Sequence, residues 1–173
     1  MEARVALRVA PAPNPAVPPT DDELHTIANV DTTLPLNALV ADVHAALLSL
    51  ARSDDVGDAL SDTLSLLPLA QECTLMLAGS RRYLSAESLL ANGSLLADGA
   101  RLLLVPQPAV TIERCLQTLT SADDGAERTG CVGQLRTLLS DAQLAEEFVA
   151  QDGISLLLTL AHDERVVGGG GEL

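Results

Sequence analysis

Residues Leu24–Leu47, LHTIANVDTTLPLNALVADVHAAL, change their hydrophobic period half-way along, and that change decides the fold. From Leu24 to Asp31 the residues alternate. Leu24, Thr26, Ala28 and Val30 fall to one side and His25, Ile27 and Asn29 to the other, the period-two pattern of a strand. Beyond Thr32 the period lengthens. Leu36, Leu39, Val40, Val43 and Leu47 trace one apolar stripe of a helix, and Pro35 suits a first helical turn, where its missing N–H removes no bond. A strand therefore leads into a helix with one face to bury.

Working outward, Arg4–Val9 alternates Arg4, Ala6 and Arg8 against Val5, Leu7 and Val9, which predicts another strand with both arginines pointing outward. The two strands would form a hairpin. Between them Ala10–Thr20, APAPNPAVPPT, is too rich in Pro for helix or central strand and reads as an extended loop of polyproline character. Its Pro15-Ala16-Val17-Pro18 is a formal P-x-x-P without a flanking basic residue. Downstream, Arg52–Gln71 reads as an inserted loop with room for a short helix around its apolar Leu64–Leu67. Thr74–Ala78 reads as a third strand, Gly79-Ser80 as a turn, Arg82–Ser85 as a fourth strand and Glu87–Leu96 as a helical or irregular link. Asp98-Gly99 signals a turn before a buried last strand, Ala100–Val105, ended by Pro106. The fold class is α+β. The order ββαββ is that of a ubiquitin-like β-grasp spanning residues 1–107, with inserted loops at 10–21 and 52–71.

After Pro106 the period is helical throughout. Ile112, Cys115, Leu116 and Leu119 form one stripe, and Val132, Leu135, Leu138 and Leu139 another. Ser140 and Gln143 have capping-box spacing ahead of Leu144 and Phe148. Asp152-Gly153 then supplies the residue that can turn left-handed where the helix must end. A last helix carries Ile154, Leu157, Leu158 and Ala161. Residues 108–165 thus read as part of a helical array too short to bury its own stripes, and residues 166–173 as a flexible Gly-rich tail.

Composition narrows the function. The 173 residues carry a formal charge of −14, all ten basic residues are Arg, and Tyr83 and Phe148 are the only aromatics. Such a field repels nucleic-acid backbones and anionic membranes, and almost nothing is present to stack on bases. Cys73, Cys115 and Cys131 are odd in number, without C-x-x-C or zinc-finger spacing, so neither a disulfide framework nor structural zinc is expected. No signal peptide or membrane span is legible, which implies a cytoplasmic protein. His162-Asp163-Glu164 are adjacent on a helix and diverge, so no metal is expected. With no nucleophile motif and no cofactor motif, the chain does not read as an enzyme. Asn92-Gly93-Ser94 is a sequon without a secretory context. Gly170-Gly171 is separated from the β-grasp by helices, unlike the tail of a ubiquitin-like modifier.

Three segments carry a resemblance. Asp31-x-x-x-Pro35-Leu36-x-Ala38-Leu39-Val40-x-Asp42-Val43, then Tyr83-Leu84-Ser85 with Asp98-Gly99, then Glu147-Phe148-Val149-x-x-Asp152-Gly153-Ile154-x-Leu156-Leu157, follow one another as in the ELMO (engulfment and cell motility) family. They are similar to its N-terminal ubiquitin-like domain and the opening of its armadillo-like helical array. The last corner also resembles formin regulatory domains, which leaves a formin-type helical regulatory scaffold as the alternative. The ELMO resemblance implies an adaptor that binds an active Rho-family or Arf-like small GTPase and is recruited by it to the membrane. It further implies work with a DOCK-type exchange factor, engaged through regions not in this chain, to activate Rac in engulfment and cell motility. The expected binding surface is the outward set Arg4, Arg8, His25, Ile27 and Asn29.

Overall fold

The strand β1 (Arg4–Pro11) holds the sheet together. It pairs antiparallel with β2 (His25–Asp31) on one side and parallel with β5 (Arg101–Pro106) on the other. On the far side of β5 lie β3 (Cys73–Leu77) and β4 (Arg82–Tyr83), giving the order β2-β1-β5-β3-β4. The computed structural model describes residues 4–17, 19–53 and 57–168. The chain divides into two compact units at Gln107/Pro108.

β1 runs two residues further than expected, through Ala10 and Pro11, in a central strand. The ladder explains why Pro is tolerated there. The N–H groups of Arg8 and Ala12 donate to Ala100 and Leu104 on the β5 side, both at 2.8 Å, so the odd-numbered nitrogens face β2. β2 pairs only as far as Val9, opposite His25, so the nitrogen of Pro11 points where no acceptor stands. The segment that follows is not a polyproline run. Asn14 closes a turn, its Oδ1 accepting from the Ala16 N–H at 3.0 Å and its carbonyl from Val17 at 3.1 Å. Pro15 is buried, and its carbonyl accepts from the Arg81 guanidinium on the β3–β4 turn. Pro15 of the P-x-x-P is therefore not displayed, and Pro18 lies outside the described residues.

β2 departs from strict alternation. Val5 pairs with Val30 and Leu7 with Ile27, so Ala6 stands opposite both Ala28 and Asn29, a β-bulge. Asn29 takes φ 58°, a left-handed value that Asn tolerates better than most residues. The extra residue resets the phase, and Ile27 and Val30 both turn into the core.

Against that face packs α1 (Leu36–Ala51), with Leu39, Val40, Val43 and Leu47 buried as the stripe required. Residues 52–71 include the short helix for which they have room. They hold α2 (Gly57–Ser65), whose Leu60 and Leu64, with Leu67 beyond it, join the same core, although 54–56 lie outside the described residues. A 3-10 turn (Ala70–Glu72) leads into β3; α3 (Ala86–Ala91) and another 3-10 turn (Gly93–Leu96) lead towards β5. Gly99 takes φ 78° just before β5, while the Asp98 carboxylate accepts from the Ala6 N–H at 2.8 Å.

The second unit is helical: α4 (Pro108–Ser121), α5 (Gly125–Leu138), α6 (Ala142–Ala150) and α7 (Gly153–Gly168). α4 packs on both α5 and α6, and α6 on α7. Gln151 Nε2 donates to the Ala109 carbonyl at 2.9 Å, tying the end of α6 to the start of α4. The stripe of α5 is rotated from the expected one. Cys131, Leu135 and Leu138 are buried while Val132 is exposed. Asp141, not Ser140, caps α6, accepting from Gln143 and Leu144; the Ser140 hydroxyl instead donates back to the Thr137 carbonyl. At the α6–α7 corner the left-handed residue is Asp152, φ 59°, and Gly153 already belongs to α7. Helix also replaces the expected tail through Gly168, and residues 169–173 lie outside the described residues. No helix among the described residues is long and apolar enough to cross a membrane.

Candidate functional site

The alternation of β1 sends Val5, Leu7 and Val9 towards α1 and leaves Arg4 and Arg8 on the opposite face of the sheet. Cross-strand pairing extends that face. Arg8 stands opposite Thr26 on β2 and beside Arg101 on β5, and Arg4 opposite Asp31. Adjacent strands are about 4.8 Å apart, and four strand residues span about 13 Å, so three arginines share one corner of the sheet. Arg101 is absent from the expected set. It is the second residue of the run ARLLLV, whose Leu102–Val105 stretch is apolar throughout and hides the alternation, and only the parallel β1–β5 register places it beside Arg8.

The other expected members fall elsewhere. Ile27 is only 6% exposed and belongs to the core, because the bulge reverses its phase. His25 stands opposite Val9, hence on the helix-facing side, where it is half-buried and lines a hollow of about 190 Å³ with Pro11, Glu23, Leu60 and Thr63. Asn29 is exposed at the bulge. Of the five residues, Arg4 and Arg8 are the two that strand alternation places together on the face opposite α1.

Each arginine meets an acidic residue of its own chain. The Arg101 guanidinium pairs with the Asp21 carboxylate, and Arg8 Nη2 donates to the Asp21 carbonyl at 3.5 Å. Asp31 accepts from the Thr33 hydroxyl at 2.6 Å and the Thr33 N–H at 2.9 Å. These two bonds, with a smaller contribution from Arg4, hold its carboxyl below the ordinary aspartate value.

A second hollow, about 350 Å³, lies between the start of α1 and β3, lined by Leu36, Val40, Cys73, Thr74 and Gln107. Gln107 is already committed there, donating to the Gln71 carbonyl at 2.9 Å. In the helical unit Cys115 and Cys131 come together, a pairing that their spacing does not announce. Cys131 Sγ lies 3.5 Å from the Cys115 carbonyl. Burial pushes the Cys115 thiol up to about 11, with Cys131 beside it adding to the rise, and burial raises Cys131 as well. Protonated thiols are poor nucleophiles and poor metal ligands. Among the described residues no three His, Cys, Asp or Glu side chains gather to hold a metal. No protein-family model matches the chain, and no curated protein matches it in sequence.

Proposed function

We propose that the chain is an ELMO-like adaptor fragment whose first unit is a ubiquitin-like β-grasp that binds a small GTPase in its active form. The strand order β2-β1-β5-β3-β4, with parallel β1 and β5 at the centre and α1 across one face, supports the β-grasp. The four stacked helices of the second unit support the start of an armadillo-like array. A sheet ahead of the helices also favours this reading over a formin-type helical scaffold. The observation that carries the binding role is the arginine corner. In a chain of charge −14, three of ten arginines are brought together on one face by two paired strands, Arg4 and Arg8 on β1 and Arg101 on β5. Guanidinium groups suit the carboxylates of a GTPase switch region, and their placement steers an acidic partner to that face. On this reading the protein works in the cytoplasm, is recruited to membranes by a Rho-family or Arf-like GTPase, and serves a DOCK-type exchange factor in activating Rac.

The test is retention of the GTPase, loaded with a GTP analogue or with GDP, on the immobilised chain. Binding is expected with the GTP analogue and to fall at least tenfold, about 1.4 kcal/mol, in the Arg4→Glu, Arg8→Glu double variant. Equal retention in both nucleotide states, or an unaffected double variant, removes the proposal.

A further inference from the structure

We infer that Asp21 is an internal stand-in for the partner's carboxylate, occupying Arg8 and Arg101 in the free protein and yielding them when an acidic protein surface docks. The inference rests on the reading of the arginine corner as a binding face. The 3-10 turn Asp21–Glu23 that presents Asp21 is built without the arginines. The Glu23 carboxylate accepts from the Thr20 N–H at 2.5 Å and hydroxyl at 3.0 Å, and the Glu23 N–H donates to the Thr20 carbonyl at 3.1 Å. Asp21 then reaches the corner twice, through its carboxylate on Arg101 and through its carbonyl, which also accepts from the Leu24 N–H at 3.3 Å, on Arg8. Two arginines in adjacent register repel one another, and the Asp21 charge relieves that repulsion. Arg4 has its own carboxylate in Asp31, directly opposite on β2. Two carboxylates thus offset three guanidinium groups from within, and the corner keeps a net positive charge. Its partner must bring carboxylates about 13 Å apart, the distance along β1 from Arg4 to Arg8, and the nearer one has to outcompete Asp21.

The pair is solvent-accessible, its Arg101 and Asp21 side chains 46% and 69% exposed, so displacement is easy. Exposed pairs are weak, and removing the competitor should raise affinity about two- to fivefold. Asp21→Asn in the full chain keeps the side-chain shape and the turn's backbone bonds and removes the charge. Asp22→Asn is the control, with the same change in net charge in the same turn but no bond to an arginine. Two probes are titrated at low ionic strength: a hexaglutamate peptide, followed at the Arg101 Nε–H resonance, and a GTP-analogue-loaded Rho-family GTPase. Asp21→Asn is expected to bind hexaglutamate two- to fivefold more tightly than wild type, with Asp22→Asn unchanged. Indistinguishable behaviour of the two variants towards hexaglutamate overturns the inference. A retained difference on hexaglutamate with no GTPase binding by any form supports the Asp21 role and removes the GTPase reading alone.

Discussion

Gly153 shows why a single residue type is required where pattern reading suggests a different reason. A Cβ at this position would lie 2.2 Å from Phe148 Cε2 and 2.5 Å from Cδ2, and the Phe148 ring is only 4% exposed. The Gly is needed for close approach of the ring, while Asp152 makes the left-handed turn. Gly→Ala in a helix ordinarily stabilises by up to about 1 kcal/mol. Gly153→Ala is expected to do the reverse and cost about 1–3 kcal/mol in denaturant unfolding, because the ring must leave its packed position. Titrating groups make a second residue-level case. The folded-state pKa of Asp31 is lowered, so its bonds to Thr33 stabilise the fold above the ordinary aspartate value, and that contribution is lost as pH falls through the folded pKa. The stability gap between wild type and Asp31→Asn should therefore close below about pH 4. Cys115 has the opposite sign: its raised pKa favours the fold below the unfolded thiol value and costs stability as pH rises towards about 11. Native-state alkylation of Cys115 at pH 7 should be far slower than in denaturant; equal rates would contradict the burial that raises its pKa.

At the scale of elements, the β1–β2 hairpin depends on the bulge at Ala28-Asn29. Without it Ile27 and Val30 could not both face the core, since one residue of slip exchanges the two sides of a strand. Asn29→Val is expected to cost about 1–2 kcal/mol for the left-handed backbone, and Asn29→Gly to be close to neutral, both read by thermal unfolding. Equal effects would mean that the backbone there is not under conformational demand. Helix α1 lies at the other extreme. Leu47 is fully buried against the sheet, so Leu47→Ala should cost about 2–5 kcal/mol. In α7 the corresponding apolar positions have no such cover: Ile154 is 52% and Leu158 68% exposed. Leu158→Ser should accordingly leave stability within about 0.5 kcal/mol of wild type.

For the whole molecule, the two units differ in how they bury apolar surface. Residues 1–107 enclose a core between sheet, α1 and α2, whereas the helical unit leaves Val132, Val149, Ile154 and Leu158 exposed. Residues 1–107 expressed alone should unfold cooperatively with a mixed helix and strand circular dichroism spectrum, and residues 108–173 alone should unfold at lower denaturant or self-associate. A non-cooperative 1–107 beside a stable monomeric 108–173 would reverse that assignment of stability.

Local periodicity determined a good deal by itself. Leu39, Val40, Val43 and Leu47 had to share a helix face, and Leu7 and Val9 had to oppose Arg4 and Arg8, because those relations depend only on the rise and twist of one element. Asp98-Gly99 announced its turn for the same local reason. What the tertiary structure decided are relations between segments distant in sequence. The phase of Ile27 depends on a bulge defined by pairing with β1. Tolerance of Pro11 depends on where β2 stops, and the role of Gly153 on where the Phe148 ring lies. The place of Arg101 beside Arg8, and of Asp21 upon both, depends on a parallel pairing between the first and last strands. Strand partners are chosen by burial of whole faces, and side-chain period within one strand carries no record of which strand will lie beside it.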